Sequence, residues 1–162
     1  MRRNIRTGMV SAVAAGAAIV GLASPASAAT VYVSDECTAS GNARCMTLFY
    51  NSQAGSIWAS SCFISNKDIY NFSGNYGEGT TYVYVFDGRD LITNYLGYCE
   101  NGSGSGSPVK NNAAAGSNTL SGNTVRIYYN SGYAGPYQSF APGSIKNLNS
   151  TLKNQNASQE LV

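Results

Sequence analysis

The chain contains no histidine. That removes Ser-His-Asp and Cys-His catalytic arrangements, histidine-ligated zinc and the commonest general base. Charge is scarce too: ten Lys and Arg face eight Asp and Glu across 162 residues. A surface with so few charges must be built largely from Asn, Ser, Thr, Gly and tyrosine hydroxyls. The one extended apolar run, Met9 to Leu22, is shorter than the roughly 20 residues that a spanning helix needs. No helical period of any length follows it, which leaves β-structure.

The first 28 residues have the pattern of a signal peptide. Arg2, Arg3 and Arg6 precede the apolar run, and Ala26-Ser27-Ala28 forms a small-residue cleavage site. No cysteine stands there to take a lipid. Removal of 1–28 leaves about 134 residues from Ala29 on, the size of one ordinary domain. Three arginines leave with the signal, so seven basic side chains remain against eight acidic ones, scattered singly. The formal charge moves from +2 to −1, and the apparent basicity that would suit a nucleic acid disappears. The expected product is secreted and monomeric, without a membrane or nucleic-acid partner.

All four cysteines, Cys37, Cys45, Cys62 and Cys99, lie beyond the signal, and an even count in an exported chain reads as disulfides. Three pairings are possible. Cys37–Cys45 with Cys62–Cys99 is favoured, because the first closes a short polar loop around Gly41 and the second ties a long insertion back to the body. A four-thiolate metal site would need C-x-x-C spacing, which is absent.

Short apolar and aromatic runs at Thr30–Val33, Met46–Tyr50, Ile57-Trp58 and Cys62–Ile64 are separated by Gly, Ser and Asn. Thr80–Phe86 is the densest strand pattern, and Asp87-Gly88 suggests a turn with Leu91–Tyr98 returning as its hairpin partner. Near the C-terminus Val125, Ile127 and Tyr129 alternate with polar residues. A polar turn after Leu152 then leads into a last short strand. One phrase is written twice: Leu48-Phe49-Tyr50-Asn51-Ser52-Gln53-Ala54-Gly55 returns as Ile127-Tyr128-Tyr129-Asn130-Ser131-Gly132-Tyr133-Ala134-Gly135, with one residue added before Ala-Gly. Self-similarity on this scale predicts one supersecondary unit used twice, burying its apolar faces against its copy.

Ile127–Ser158 resembles a βγ-crystallin Greek-key motif: an aromatic first strand, Tyr133-Ala134-Gly135 at its corner, a Pro-Gly turn, and an Asn/Ser-rich segment before the last strand. With Cys45-Met-Thr-Leu-Phe-Tyr-Asn-Ser and Val109–Ala114, the chain resembles the secreted actinobacterial peptidase-inhibitor family of the metalloproteinase-inhibitor type, over nearly all of the mature part. The resemblance implies an all-β, disulfide-braced, βγ-crystallin-like double Greek-key sandwich in residues 29–162. Its first unit would run over about 45–116 with an insertion at about 80–98. A Gly/Ser loop at 101–108 and a second unit at about 124–162 would follow. It also implies an inhibitor that presents a rigid loop to an extracellular protease, a preorganised segment losing little entropy on binding.

Candidate site residues follow from these readings. Tyr98, Cys99 and Glu100 are candidates for an inhibitory loop, as is the Asp87–Asp90 turn. Asp87 with Asp90, and Asp35 with Glu36, are the close acidic pairs, each at a turn where Asp caps its own backbone, so no enzyme and no cofactor are expected. Crystallin-type motifs can hold calcium through an Asn/Asp-Asn/Asp-x-x-Ser/Thr-Ser segment. The corresponding stretches, Lys110–Ala115 and Asn154–Gln159, keep only Asn111, Asn112, Asn154, Asn156 and Ser158. Without carboxylates these suit side-chain-to-backbone caps better than a hard dication. Trp58, Tyr70, Tyr76, Tyr82, Tyr84, Tyr95 and Tyr98 crowd the first half, and those left exposed would suit a sugar or a protein partner. Two alternative functions therefore stand beside inhibition: a module, toxin-like or not, that binds cell-wall polysaccharide, and a structural or stress protein with vestigial calcium sites.

Overall fold

A computed structural model describes residues 29–37, 44–54, 59–88, 98–100 and 102–162. The expected signal peptide 1–28, the Gly41 loop, Ile57-Trp58 and the segment 89–97 with Asp90 and Tyr95 lie outside them. The described residues form short strands and turns, without a helix. The strands are β1 (Ala29–Val33), β2 (Asp35–Glu36), β3 (Met46–Phe49), β4 (Ala59–Ser60), β5 (Cys62–Ser65), β6 (Asn75–Gly77) and β7 (Thr80–Tyr84). They continue with β8 (Tyr98–Cys99), β9 (Ala115–Asn118), β10 (Val125–Asn130), β11 (Ala134–Phe140), β12 (Ile145–Asn147) and β13 (Ser158–Leu161).

Two sheets carry the architecture. The first has the order β12-β9-β3-β5-β2 and the second β11-β10-β13, which Ile69 joins by an antiparallel bridge to Gln159. Each half of the chain therefore lends one segment to the other half's sheet: β12 closes the first, Ile69 the second. Backbone hydrogen bonds equate the halves residue by residue. The Ala114 N–H donates to Phe49 C=O at 2.9 Å as Ala157 N–H does to Tyr128 C=O at 2.8 Å. Leu148 N–H donates to Ala114 C=O at 2.9 Å, and Phe72 N–H to Ala157 C=O at 2.8 Å. Asn154 N–H donates to Ala113 C=O and Asn111 N–H to Asn156 C=O, both at 2.8 Å. Both of these asparagines have positive φ, 61° at Asn111 and 58° at Asn154, a conformation that Asn tolerates better than most residues. The repeated phrase thus occupies equivalent strands, β3 and β10, and the fold is an all-β double Greek-key sandwich.

The equivalence also locates the extra chain of the first unit. Phe72 and Asn111 correspond to Leu148 and Asn154, so residues 73–110 stand where the second unit has only 149–153. This is wider than the 80–98 expected, and it includes the Gly/Ser loop. Of the hairpin expected between β7 and Leu91–Tyr98, residues 91–97 lie outside the described residues. Both edges of β7 are already taken, by β1 in parallel and by β6 antiparallel, while Tyr98–Cys99 pairs in parallel with β4.

Between the sheets lies the main core, with Met46, Leu48, Phe63, Phe72, Phe86, Val125, Ile127, Phe140 and Leu152 all buried. Burial of each large apolar side chain contributes roughly 1.5–3 kcal/mol. Gly116 on β9 fits here because a Cβ would lie 2.6 Å from the Met46 terminal methyl and 3.0 Å from the Phe140 ring. The first sheet is covered on its other face as well, where Phe49, Ile64 and Ala115 pack with Cys45, Cys62 and Cys99. The disulfides are Cys37–Cys45 and Cys62–Cys99, the favoured pairing.

Candidate ligand face

The outer face of the second sheet is dressed differently. Register sets two rows across it, Tyr137–Tyr128–Ser158 and Ser139–Arg126–Glu160. The Tyr128 ring is 5.3 Å from Tyr137 and 6.2 Å from Tyr133, and Tyr133 is 5.7 Å from Tyr70. Four rings thus run from β11 to the Ile69 segment. Tyr128 lies beneath, only 6% exposed, while Tyr70 is 67% and Tyr137 50% exposed. Arg126 holds its guanidinium 4.9 Å over the Tyr137 ring, a cation–π contact.

Local backbone explains the convergence. A bulge between Tyr128 and Asn130 breaks the alternation along β10. Tyr129, expected inward with Val125 and Ile127, is instead 39% exposed, because an extra bulge residue reverses the facing of those beyond it. The hairpin then turns through Gly132 (φ 77°) and Tyr133 (φ 58°). Ser158 fixes that strained tyrosine: its Oγ accepts the Tyr133 N–H at 3.1 Å and donates to Asn130 C=O at 2.7 Å. Gly132 donates its N–H to Tyr70 C=O at 2.8 Å, and a Cβ there would press on the Tyr70 hydroxyl at 3.0 Å.

Beside the rings an open cleft of about 260 Å³ is lined by Asp68, Tyr70, Asn71, Asn75 and Tyr133, with Ile69, Gly74 and Tyr84 at its base. Burial lifts the Tyr128 phenol above its ordinary value, and its hydrogen bond to Glu160 Oε2 at 2.6 Å adds to the shift. Burial also lifts the Tyr133 phenol, with the nearby Asp68 charge reinforcing it. Both phenols stay protonated at neutral pH; Tyr128 commits its proton to Glu160, which leaves Tyr133 as the donor. Aromatic faces bordered by a carboxylate, amides and a guanidinium provide stacking surface and hydrogen bonds, and contain no nucleophile–base pair.

Of the candidates singled out in the sequence, Tyr70, Tyr84 and Ser158 belong to this face and its cleft, whereas the described acidic and loop candidates and the candidate asparagines lie elsewhere. Asp87 forms a backbone bridge to Cys62, Asp35 Oδ1 caps the Cys37 N–H at 2.7 Å, and Glu36 pairs with Lys67 at 2.6 Å. Tyr98 and Cys99 form β8 rather than a projecting loop. Cys99 is buried, and the exposed Glu100 is tied down by its N–H to Ser60 C=O at 3.0 Å and by Ser61 Oγ to its own C=O at 3.3 Å. Asn112 Nδ2 donates to Pro108 and Lys110 carbonyls, while Asn156 accepts the Ala113 N–H at 2.9 Å and donates to Val109 C=O at 2.8 Å. The two calcium-like windows are also out of step by one residue, since Asn111, not Lys110, matches Asn154. Lys110 bonds Asn71 Oδ1 at 3.2 Å and Ser131 Oγ at 3.1 Å, putting a fixed positive charge beside the first window. Among the described residues no group of three or more Cys, Asp or Glu could hold a metal ion.

Sequence reading noted Tyr70 but missed its union with Tyr128, Tyr133 and Tyr137. A signal was there: the residue added in the second copy of the phrase puts Tyr133 where the first copy has no aromatic.

No family model and no curated protein matches the sequence. Among solved structures, one described as "Evolution of the eye lens beta-gamma-crystallin domain fold" matches at 10% identity and a TM-score of 0.44, covering 76% of this chain and 92% of that one. The N-terminal domain of protein S matches at 14% identity and a TM-score of 0.42, covering 73% and 94%. The likeness is to βγ-crystallin domains. At these scores it adds nothing to the strand register, which carries the architecture alone.

Proposed function

We propose that the protein is an extracellular carbohydrate-binding module that lays cell-wall polysaccharide across the tyrosine face of its second sheet. The observation that carries this reading is the asymmetry of the sandwich. The first sheet is covered on both faces, whereas the second exposes linked aromatic rings bordered by Arg126, Glu160 and Asp68. Two disulfides are compatible with an extracellular setting. The reading is tested by binding isotherms of the oxidised protein on purified cell-wall sacculi, with chitin and cellulose alongside. Saturable binding is expected on at least one, weakened at least tenfold in Tyr70→Ala and Tyr137→Ala with an unchanged melting temperature. Absence of binding to all three, or full binding by both variants, would overturn it.

Inhibition of an extracellular metalloprotease remains a second reading, supported by the sequence resemblance and by the Cys62–Cys99 brace beside exposed Glu100. An assay against a thermolysin-type enzyme separates the two: stoichiometric inhibition that survives Tyr137→Ala would move function to the braced edge.

A further inference from the structure

A second cleft, of about 450 Å³, lies away from the tyrosine face and does not depend on the carbohydrate reading. It is lined by Tyr50, Asn51, Ser52, Asn112, Lys153 and Asn154, with Ala114 at its base and no acidic residue. The pseudo-twofold relation of the units gives this cleft a mate. Asn111 corresponds to Asn154, so Lys110 corresponds to Lys153; Phe72 corresponds to Leu148, so Asn71 corresponds to Asn147. Ser131 likewise matches Ser52 in the repeated phrase.

The mate is filled from within, because Lys110 reaches Asn71 Oδ1 and Ser131 Oγ. In the open copy the equivalent acceptor is already engaged. Asn147 Oδ1 accepts the Gln53 N–H at 2.8 Å and its Nδ2 donates to Gln53 C=O at 2.9 Å. Exposed Lys153 is left with no side-chain partner among the described residues, and it lines the cleft together with Asn51, Ser52 and Asn154. An uncompensated cation surrounded by neutral donors, with no carboxylate, selects an oxyanion. The volume suits a ligand larger than an inorganic ion, and Tyr50, half-buried, forms part of the wall.

We infer that this cleft binds a negatively charged sugar residue, its carboxylate or phosphate held by Lys153 with Asn51, Ser52 and Asn154. The test is amide-resolved NMR titration of the oxidised protein at constant ionic strength. Glucuronate and glucose 6-phosphate serve as the two anionic probes; glucose, sodium chloride and calcium chloride are the comparisons. Saturable shifts centred on Asn51, Ser52, Asn112 and Asn154 are expected with at least one anionic sugar, and which of the two binds tells carboxylate from phosphate. Lys153→Gln should weaken that binding at least tenfold, while Lys146→Gln, of the same charge change but outside the cleft, leaves it unaltered. Failure of both anionic sugars, equal binding by glucose, or full affinity in Lys153→Gln would overturn the inference. So would shifts at these residues specific to calcium, since the donors would then be acting as cation ligands. None of these results depends on Tyr70 or Tyr137.

Discussion

The two Greek-key units share a register and differ in what they wear on the outside. On the first sheet Phe49 projects outward and is covered by the Cys62–Cys99 disulfide, Ile64 and Ala115. Its counterpart Tyr128 also projects outward, but its cover is Tyr133 and Tyr137, the latter half exposed to solvent. The inner residues of the same strands, Leu48 and Ile127, are both fully buried in one core. Interior positions are held alike by a shared packing problem, whereas each outer face was free to become either a second packed layer or a surface that meets something else.

The sharpest way to break this comparison is a pair of truncations. Phe49→Ala should cost about 3–5 kcal/mol, as removal of a buried ring with its cavity does. Tyr137→Ala, exposed at the matching layer, should cost no more than about 0.5 kcal/mol while weakening the proposed polysaccharide binding at least tenfold. Chemical denaturation of both variants checks this, and a large loss in Tyr137→Ala would make the tyrosine face a packing layer. Next come the disulfides, both attached to the first sheet. Replacing Cys62 and Cys99 by Ala opens a crosslink of sequence separation 37 and should cost about 4 kcal/mol. The same change at Cys37 and Cys45, separation 8, should cost about 2.5 kcal/mol. Reversal of that order would show that the bridges act through the folded state. The smallest effect is alkaline. The Tyr84, Tyr128 and Tyr133 phenols are all raised, chiefly by burial. Such groups hold their protons more tightly folded than unfolded, so their stabilisation is complete below pH about 10 and is lost as pH rises beyond it. Melting temperatures should be level from pH 7 to 9 and fall above 10, less steeply in Tyr128→Phe; an early fall between 7 and 9 would contradict the assignment.

Much of the frame was legible because its signals are local. The duplicated phrase marked β3 and β10, cysteine positions suggested the pairing, and the polar turn after Leu152 announced β13. What escaped depends on partners distant in sequence. β7 carries a clear strand pattern, yet nothing within it says that residues 29–33 and 75–77 will occupy its edges. The extra chain reaches beyond 80–98 because nothing in residues 73–79 marks them as inserted and the Gly/Ser tract at 101–108 reads as a separate loop; only the match of Phe72 with Leu148 joins them. The tyrosine face was hidden for the same reason: Tyr70 and Tyr133 meet across 63 positions of chain, through a bulge and a positive-φ turn that alternation rules do not anticipate.

The exchange of segments between sheets bears on how the molecule comes to exist. Ile69 can find its place only after Gln159 is available, and β12 must return to a strand formed from the first half. Neither unit is complete alone, and closure of loops this long is slow. The sandwich therefore cannot close until Ser158–Leu161 is in place between β10 and Ile69, which makes this four-residue strand the latch of the whole fold.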